Sequence, residues 1–388
     1  MKNIVWLTEW LPTELDPYGG DGIERRAKAA SLYNNIVIIY LKKKPGLGFK
    51  KIEPEQRIYN ENCRAFIYFY PSIGKPGGLA DLILSNYYFI RLHSRALHAY
   101  RKKNGKPSGI QVNVTMKNGI IACIYKWLWG VHYIVVEGWS LFLPEAKPQF
   151  NDKGWLFRFL TRRVLKHSSL LVAVSDHLAK MINQHIINVP YMDIPSVVDT
   201  NIFFPDNNIS GRSIFRFIHI SSLDHPKNFE QLLLASKIVI EKGFKIELFV
   251  HGPEREEIKQ FMQDNKIPDV VVFKKEAPQN QLAESMRSAD ALILYSRYET
   301  FGNVIIEANA CGLPVIVSDY PTFNEIIIEG KTGLKAAGNN PGALAEKMIY
   351  MVTNYVSFDR SVIAAITKDK YNFQEVGKRF DAVYSKFF

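Results

Sequence analysis

ALILYSRYETFGNVIIEANACGLPVIVSD, residues 291–319, is the stretch from which the rest of the chain can be read. Its apolar run predicts a strand ending at about Ser296. Glu299-Thr-Phe-Gly302 predicts a turn, and a helix is expected from near Asn303. A helix start leaves backbone N–H groups unpaired and carries partial positive charge, which suits a phosphate. Gly302 lets a ligand approach the main chain closely. Glu299 in the turn and Glu307 about one turn into the helix would share the mouth of that site. Two acids are a poor match for phosphate alone and make sense beside hydroxyls, as on a sugar and a ribose. On spacing alone, one carboxylate complementing the helix dipole and one solvated carboxylate explain the pair equally well.

The same rhythm of strand and helix extends in both directions. FRFIHIS, KNFEQLLLASKIVIEKG, FKIELFVHG and VVVFKKEAP precede residue 291. NIVWLT, IERRAKAASLY, NIVIIYL, HYIVVEG and LLVAVS form an earlier series. This alternation predicts α/β architecture with parallel sheets and helices on both faces. VPYMDIPSVVDTNIFFPDNNISGRS, between the two series, reads as a linker. The expected domains are residues 1–195 and 206–370, each Rossmann-like. Parallel sheets of this kind bind ligands at the carboxyl ends of their strands. No G-x-G-x-x-G follows a strand, so a bound dinucleotide is not indicated.

ETFGNVIIEANACGLPVIVSD resembles the signature of glycosyltransferase family 4, in which two Glu stand eight positions apart. LVAVSDHL, IPSVVDTNIFFP, FIHISSLDHPKN and FVHGPERE resemble further motifs of that family in the family's order. Gly19-Gly20 before IERRAKAASL is similar to its N-terminal glycine loop, and YNFQEVGKRFDAVYSKFF to its last helix. The resemblance is dense from about residue 170 to 335 and sparse before that. It implies a retaining, nucleotide-sugar-dependent enzyme of the GT-B fold. That fold has two Rossmann-like domains facing each other across a cleft, with residues 371–388 crossing back to the N-terminal, acceptor-binding domain. It also implies roles for particular residues. Glu307 would bind the donor ribose and Glu299 the transferred sugar. Backbone N–H groups of Phe301, Gly302 and Asn303 would hold sugar and phosphate, and Lys227 would neutralise the leaving diphosphate. Gly252 would lie near the base, and Gly19 and Gly20 would face the phosphates. Glu137 and Trp139, at a strand end, are the acceptor-side candidates. Three positions depart from the family pattern: Ser222 where an Arg is usual, Ser196 for an Asn, and Gly138 for a His.

No D-x-D metal motif occurs, so metal-independent chemistry on a UDP- or GDP-sugar is expected, with a glycan or lipid-linked acceptor. The alternatives are a sugar-nucleotide epimerase or phosphorylase of the same fold, or a non-catalytic sugar- or nucleic-acid-binding module. Nucleic acid finds no support beyond charge. The net charge of +11 is uneven: residues 1–200 hold 27 Lys/Arg against 15 Asp/Glu, and residues 201–388 hold 22 against 23. A basic first half suits an anionic membrane face or a phosphorylated substrate. KGWLFRFLTRRVLKH, residues 153–167, contains no acid. As a helix it aligns Arg158, Arg162 and Lys166 on one face and Leu156, Leu160 and Val164 on another. KKKPGLGFKK, residues 42–51, reads as a basic loop beside the acceptor. Residues 119–136 contain Lys126 and His132, so they read as a buried helix and a strand rather than a membrane span. Cys63, Cys123 and Cys311 fit neither a disulfide framework nor a zinc site. The expected location is therefore the cytoplasm, at the inner membrane face where the acceptor is lipid-linked.

Overall fold

The computed structural model describes residues 1–47, 52–72, 78–206 and 214–388. The chain forms two compact units: residues 1–144, 148–197 and 373–388, and residues 145–147 and 198–372.

The first unit carries strands β1 (Asn3–Thr8), β2 (Asn35–Lys44), β3 (Glu55–Asn60), β4 (Cys63–Pro71), β5 (Gly109–Asn113), β6 (Tyr133–Glu137), β7 (Leu171–Ala173) and β8 (Tyr191–Asp193). They form one sheet in the order β3-β4-β2-β1-β5-β6-β7-β8. All pairings are parallel except β3 with β4. The antiparallel edge departs from the all-parallel expectation, because β3 joins β4 through a short hairpin rather than a crossover helix. The start of the expected linker, Tyr191–Asp193, is the last strand of this sheet. Lys42–Lys44 complete β2 rather than opening a loop, and residues 48–51 of that basic stretch lie outside the described residues.

Helices α1 (Asp21–Ala30), α2 (Leu79–Asn104), α3 (Asn118–Trp129), α4 (Trp155–His167) and α5 (Asp176–His185) follow the strands. Both faces of the sheet are covered, so β1 and β6 read as nearly continuous apolar runs, and β5 is buried along its whole length although it carries Gln111 and Asn113. The C-terminal helix, Phe373–Phe387, packs on α1 so closely that a Cβ on Gly377 would meet the Ala29 carbonyl oxygen at 2.3 Å. A buried polar chain fixes it. Trp6 Nε1 donates to Tyr384 Oη (3.1 Å), Tyr384 donates to Gln111 Oε1 (2.6 Å), and Gln111 Nε2 donates to Asn113 Oδ1 (3.0 Å). Helix α3 is not buried all round as expected: Trp127 is 84% exposed, and Ile124 and Leu128 are also exposed. No described helix is long and apolar enough to cross a membrane.

The second unit contains β9 (Phe215–Ile220), β10 (Ile246–His251), β11 (Val271–Lys274), β12 (Ala291–Leu294), β13 (Val315–Ser318) and β14 (Gly333–Ala336). They form a parallel sheet in the order β11-β10-β9-β12-β13-β14. Its helices are α6 (Phe229–Glu241), α7 (Glu256–Asp264), α8 (Gln279–Arg287), α9 (Asn303–Ala310), α10 (Pro341–Thr353) and α11 (Arg360–Tyr371). The order reverses at β9, where the chain turns from one side of the sheet to the other. The crevice beyond strand ends at such a switch point is where open α/β sheets bind ligands.

Candidate active site

Two loops at the carboxyl edge of the second sheet carry the expected donor-side residues. After β12 the chain runs through Glu299 to Gly302, which adopts φ 91° and caps α9 without a side-chain acceptor. A Cβ at Gly302 would lie 2.9 Å from Ile305 Cδ1 and 3.3 Å from Phe323, so glycine answers both the left-handed backbone and the space. Asn303 opens the helix, and Phe301 is buried edge-on against Tyr371. Glu307 lies in the second turn and is 7% exposed. After β9 the second loop passes Ser222 and reaches Lys227 in a 3-10 turn. Lys227 Nζ donates to Glu299 Oε2 at 2.7 Å. Burial works to lower the Lys227 pKa, but the Glu299 carboxylate, helped by Asp224, outweighs it and holds the ammonium above its ordinary value. The structure thus brings Lys227 and Glu299 together from 72 residues apart.

The Lys227 loop is held by groups that spacing did not single out. Arg255 donates through Nε and Nη2 to the Ser222 carbonyl oxygen (3.1 and 2.9 Å). Arg297 donates through Nη1 to the His225 carbonyl (2.6 Å) and through its backbone N–H to that of Pro226 (2.8 Å). Two guanidinium groups therefore stand on a loop whose Ser222 itself brings no charge. Gly252, just after β10, would place a Cβ 2.4 Å from the Ser221 carbonyl oxygen. Its visible role is this close passage of two loops.

His219 anchors the start of the same loop. Its Nδ1 donates to the Ile293 carbonyl (2.8 Å), which leaves Nε2 to accept from Ser221 Oγ (2.7 Å); Ser221 Oγ in turn accepts from the Leu223 N–H (3.1 Å). Burial pushes the His219 pKa down to about 4, and that of His93 in the first unit likewise to about 4. Unfolded histidine titrates near ~6.5. Between those values the unfolded chain binds more protons, so stability held above about pH 6.5 is lost as pH falls toward 4. Denaturant midpoints measured from pH 7 to 4 should fall steadily. A midpoint flat to pH 4.5 would mean that both imidazoles titrate normally.

The first unit places the remaining candidates. Gly20 precedes α1 at φ 82°, and a Cβ there would lie 2.6–2.8 Å from the backbone of Trp10 and Leu11. The Gly19 N–H is already donated to Asp16 Oδ1 (2.8 Å). Glu137 corrects the expectation that it sits open at its strand end: it is 0% exposed. Its carboxylate accepts from Thr115 N (3.0 Å), Thr115 Oγ1 (2.7 Å), Gly138 N (3.0 Å) and Trp139 N (2.9 Å). Burial raises its pKa against these four bonds, which lower it. Glu137 is thus a brace for the loops after β5 and β6. Trp139, half-buried, meets Trp10 edge-on with ring centroids 5.9 Å apart. Glu137→Gln keeps the shape but turns an amide NH2 toward groups that are themselves donors. It should cost about 1–3 kcal/mol in unfolding free energy, read from denaturant curves; an unchanged midpoint would return Glu137 to the list of substrate contacts.

Two Rossmann-like units with these loop sites define a protein of the GT-B fold. Sucrose-phosphate synthase from Thermosynechococcus elongatus superposes with a TM-score of 0.77 at 16% identity, covering 99% of each chain. The Anabaena protein HepE, solved in complex with UDP and glucose, gives 0.71 at 13% identity, covering 99% of this chain and 100% of its own. Residues 202–369 match the family described as "Glycosyl transferases group 1". N-acetyl-alpha-D-glucosaminyl L-malate synthase of Bacillus anthracis is 27% identical over 258 residues, 63% of this chain and 65% of that protein. The matches span between about half and two-thirds of the length of the first curated relatives. Over residues 202–369 the chain is similar to the group 1 glycosyltransferases, and its motifs resemble family 4 among them.

Proposed function

We propose that this chain moves a sugar from a UDP- or GDP-sugar to a glycan or lipid-linked acceptor, with retention of configuration and without a metal ion. The observation that carries the reading is the Lys227–Glu299 pair beside the uncapped start of α9. When the bond from sugar to phosphate breaks, negative charge grows on the diphosphate. A preorganised ammonium and a helix terminus aimed at that charge lower the barrier. Glu299 and Glu307 accept from hydroxyls of the sugar and the ribose. The UDP and glucose bound by HepE and the sugar-transferring relatives support this assignment. The test is a panel of UDP- and GDP-sugars with candidate acceptors. Nucleoside diphosphate should be released only when an acceptor is present, and the product anomer should match the donor's. Turnover should survive EDTA; loss on chelation with rescue by magnesium or manganese would defeat the metal-free reading.

A specific surface supports a membrane-borne acceptor. Helices α2, α3 and α4 lie side by side: His98 meets Trp129 edge-on, Arg101 lies over the same ring, and Lys126 Nζ donates to the His167 carbonyl. Across the three helices stand ten Lys or Arg and one acid, Asp81, which is buried and paired with Lys43. Outward they expose Ile83, Ile90, Trp127, Trp155, Leu156 and Phe159. Apart from Glu53, which pairs with Arg95 at 2.7 Å, apolar and aromatic side chains stand here among cations, which matches an anionic lipid surface. The faces of α4 differ from the sequence expectation. Leu156 is outside, while Arg162 is held by the Ile186 carbonyl (3.0 Å) and lies over Phe150; Arg163 and Lys166 are the exposed cations. Co-sedimentation with phosphatidylserine vesicles should fall steeply with salt. It should drop further in a variant combining Trp155→Ala, Arg163→Glu and Lys166→Glu. Binding indifferent to lipid charge and to these changes would remove the membrane from the reading.

A further inference from the structure

At the amino ends of β1, β2 and β4, the last turn of α2 closes over a polar cavity of about 170 Å³. Arg64 and Lys103 supply two positive charges to its lining, and no carboxylate lines it. Neither cation forms an ion pair with a described residue, and Tyr100, only 7% exposed, gives its hydroxyl to none. Asn3 accepts from Asn35 Nδ2 (2.9 Å), which keeps its own amide N–H groups available, and the Asn62 side chain has no described partner. The lining therefore pairs two cations with neutral amides and a hydroxyl, groups that can each donate to an anion or its hydroxyls, and offers no negative charge. Lys103 is exposed, whereas the Arg64 guanidinium is half-buried and partly withdrawn from water, which favours an anion beside it. The carbonyl end of α2 offsets at most about half a charge.

Size and place narrow the occupant. Pockets for drug-sized ligands run to roughly 300–1,000 Å³, so this cavity is too small for a nucleotide sugar. At about 30 Å³ per water, it holds a tetrahedral oxyanion with a short polar body. It also lies at the opposite edge of the sheet from the loops bearing Gly20 and Trp139, which follow the carboxyl ends of β1 and β6. Its occupant does not meet the reacting groups.

We propose that this cavity is a second ligand site, built for a small phosphate monoester. The phosphate sits between Arg64, Tyr100 and Lys103, where a planar guanidinium fork and a point charge together balance a dianion. The amides of Asn3, Asn62 and Asn104 face the hydroxyls of the esterified body. The site stands apart from the transferase reading and persists if that reading fails.

Calorimetric titration of the full chain with inorganic phosphate and with glucose 6-phosphate, at matched ionic strength, tests it. Both should bind saturably, the ester more tightly. Arg64→Gln and Lys103→Gln should each weaken binding about tenfold or more, and Tyr100→Phe, which keeps the ring packing, about threefold or more. Lys227→Ala should leave this binding in place, which separates it from phosphate at the donor site. Absence of saturable binding, or affinity unchanged in folded Arg64→Gln and Tyr100→Phe, overturns the site. An ester no tighter than inorganic phosphate overturns the amide contacts.

Discussion

Replacing Lys227 by alanine should lower kcat about 100- to 1,000-fold, the usual cost of removing one preorganised donor to developing negative charge, while the protein stays folded. In the structure this ammonium is paired with Glu299 at 2.7 Å and held charged by it. Its pKa lies above the ordinary value, so the ammonium stays charged at neutral pH and the charge is lost as pH rises through the folded-state value. On the proposed reading, an arriving diphosphate would compete with Glu299 for the same three N–H groups. The carboxylate would then turn to a sugar hydroxyl, and the ammonium would meet the charge of the leaving group. Alanine removes the cation and also leaves Glu299 without its partner. Lys227→Arg should retain part of the activity, because the charge persists while its shape changes. The competing outcome is specific. Arg255 on the Ser222 carbonyl and Arg297 on that of His225 stand on the same loop. A loss under about tenfold in Lys227→Ala would mean that one of them holds the phosphate. Arg255→Ala should then carry the large defect instead.

Those arginines show where the sequence stops being readable. The second unit is legible because its sheet is parallel and covered on both faces. ALIL and VIVS therefore appear as apolar runs closed by turn residues, and the helix start at Asn303 follows from the glycine before it. Lys227 and Glu299 were each visible as motif residues, but their contact spans 72 positions and no local period announces it. The link from Arg255 to Ser222 spans 33, and Arg255 looks like one more charge at a helix start. Glu137 failed for a different reason. A carboxylate at a strand end reads as available, and only the fold shows that Thr115, 22 residues away, has turned its backbone N–H and hydroxyl into it. On α4, periodicity grouped Leu156 with Val164 and Arg162 with Lys166, but in the fold Leu156 and Lys166 are exposed while Val164 and Arg162 turn inward. The carbonyl that recruits Arg162 belongs to Ile186, beyond the next helix.

Glu307→Ala should weaken nucleotide-sugar affinity about 10- to 150-fold, with smaller effects on stability. A charged acceptor lost from a hydroxyl costs roughly 1.5–3 kcal/mol, and 1.4 kcal/mol is a factor of ten. Glu307 lies in the second turn of α9, with 7% of its surface exposed, on the helix whose first turn no side chain caps. A carboxylate so far shielded from water is held in place before ligand arrives, so little ordering cost is set against the bond it makes. Calorimetry on the folded variant reads the loss directly, and a nucleotide lacking a ribose hydroxyl isolates its cause. If Glu307 holds the ribose, the deoxy analogue and Glu307→Ala should each weaken binding alone. Combined, they should cost much less than the sum of the two. Additive losses would mean that Glu307 acts on some other part of the donor. No loss in either would leave Glu307 as a carboxylate that serves only its own helix.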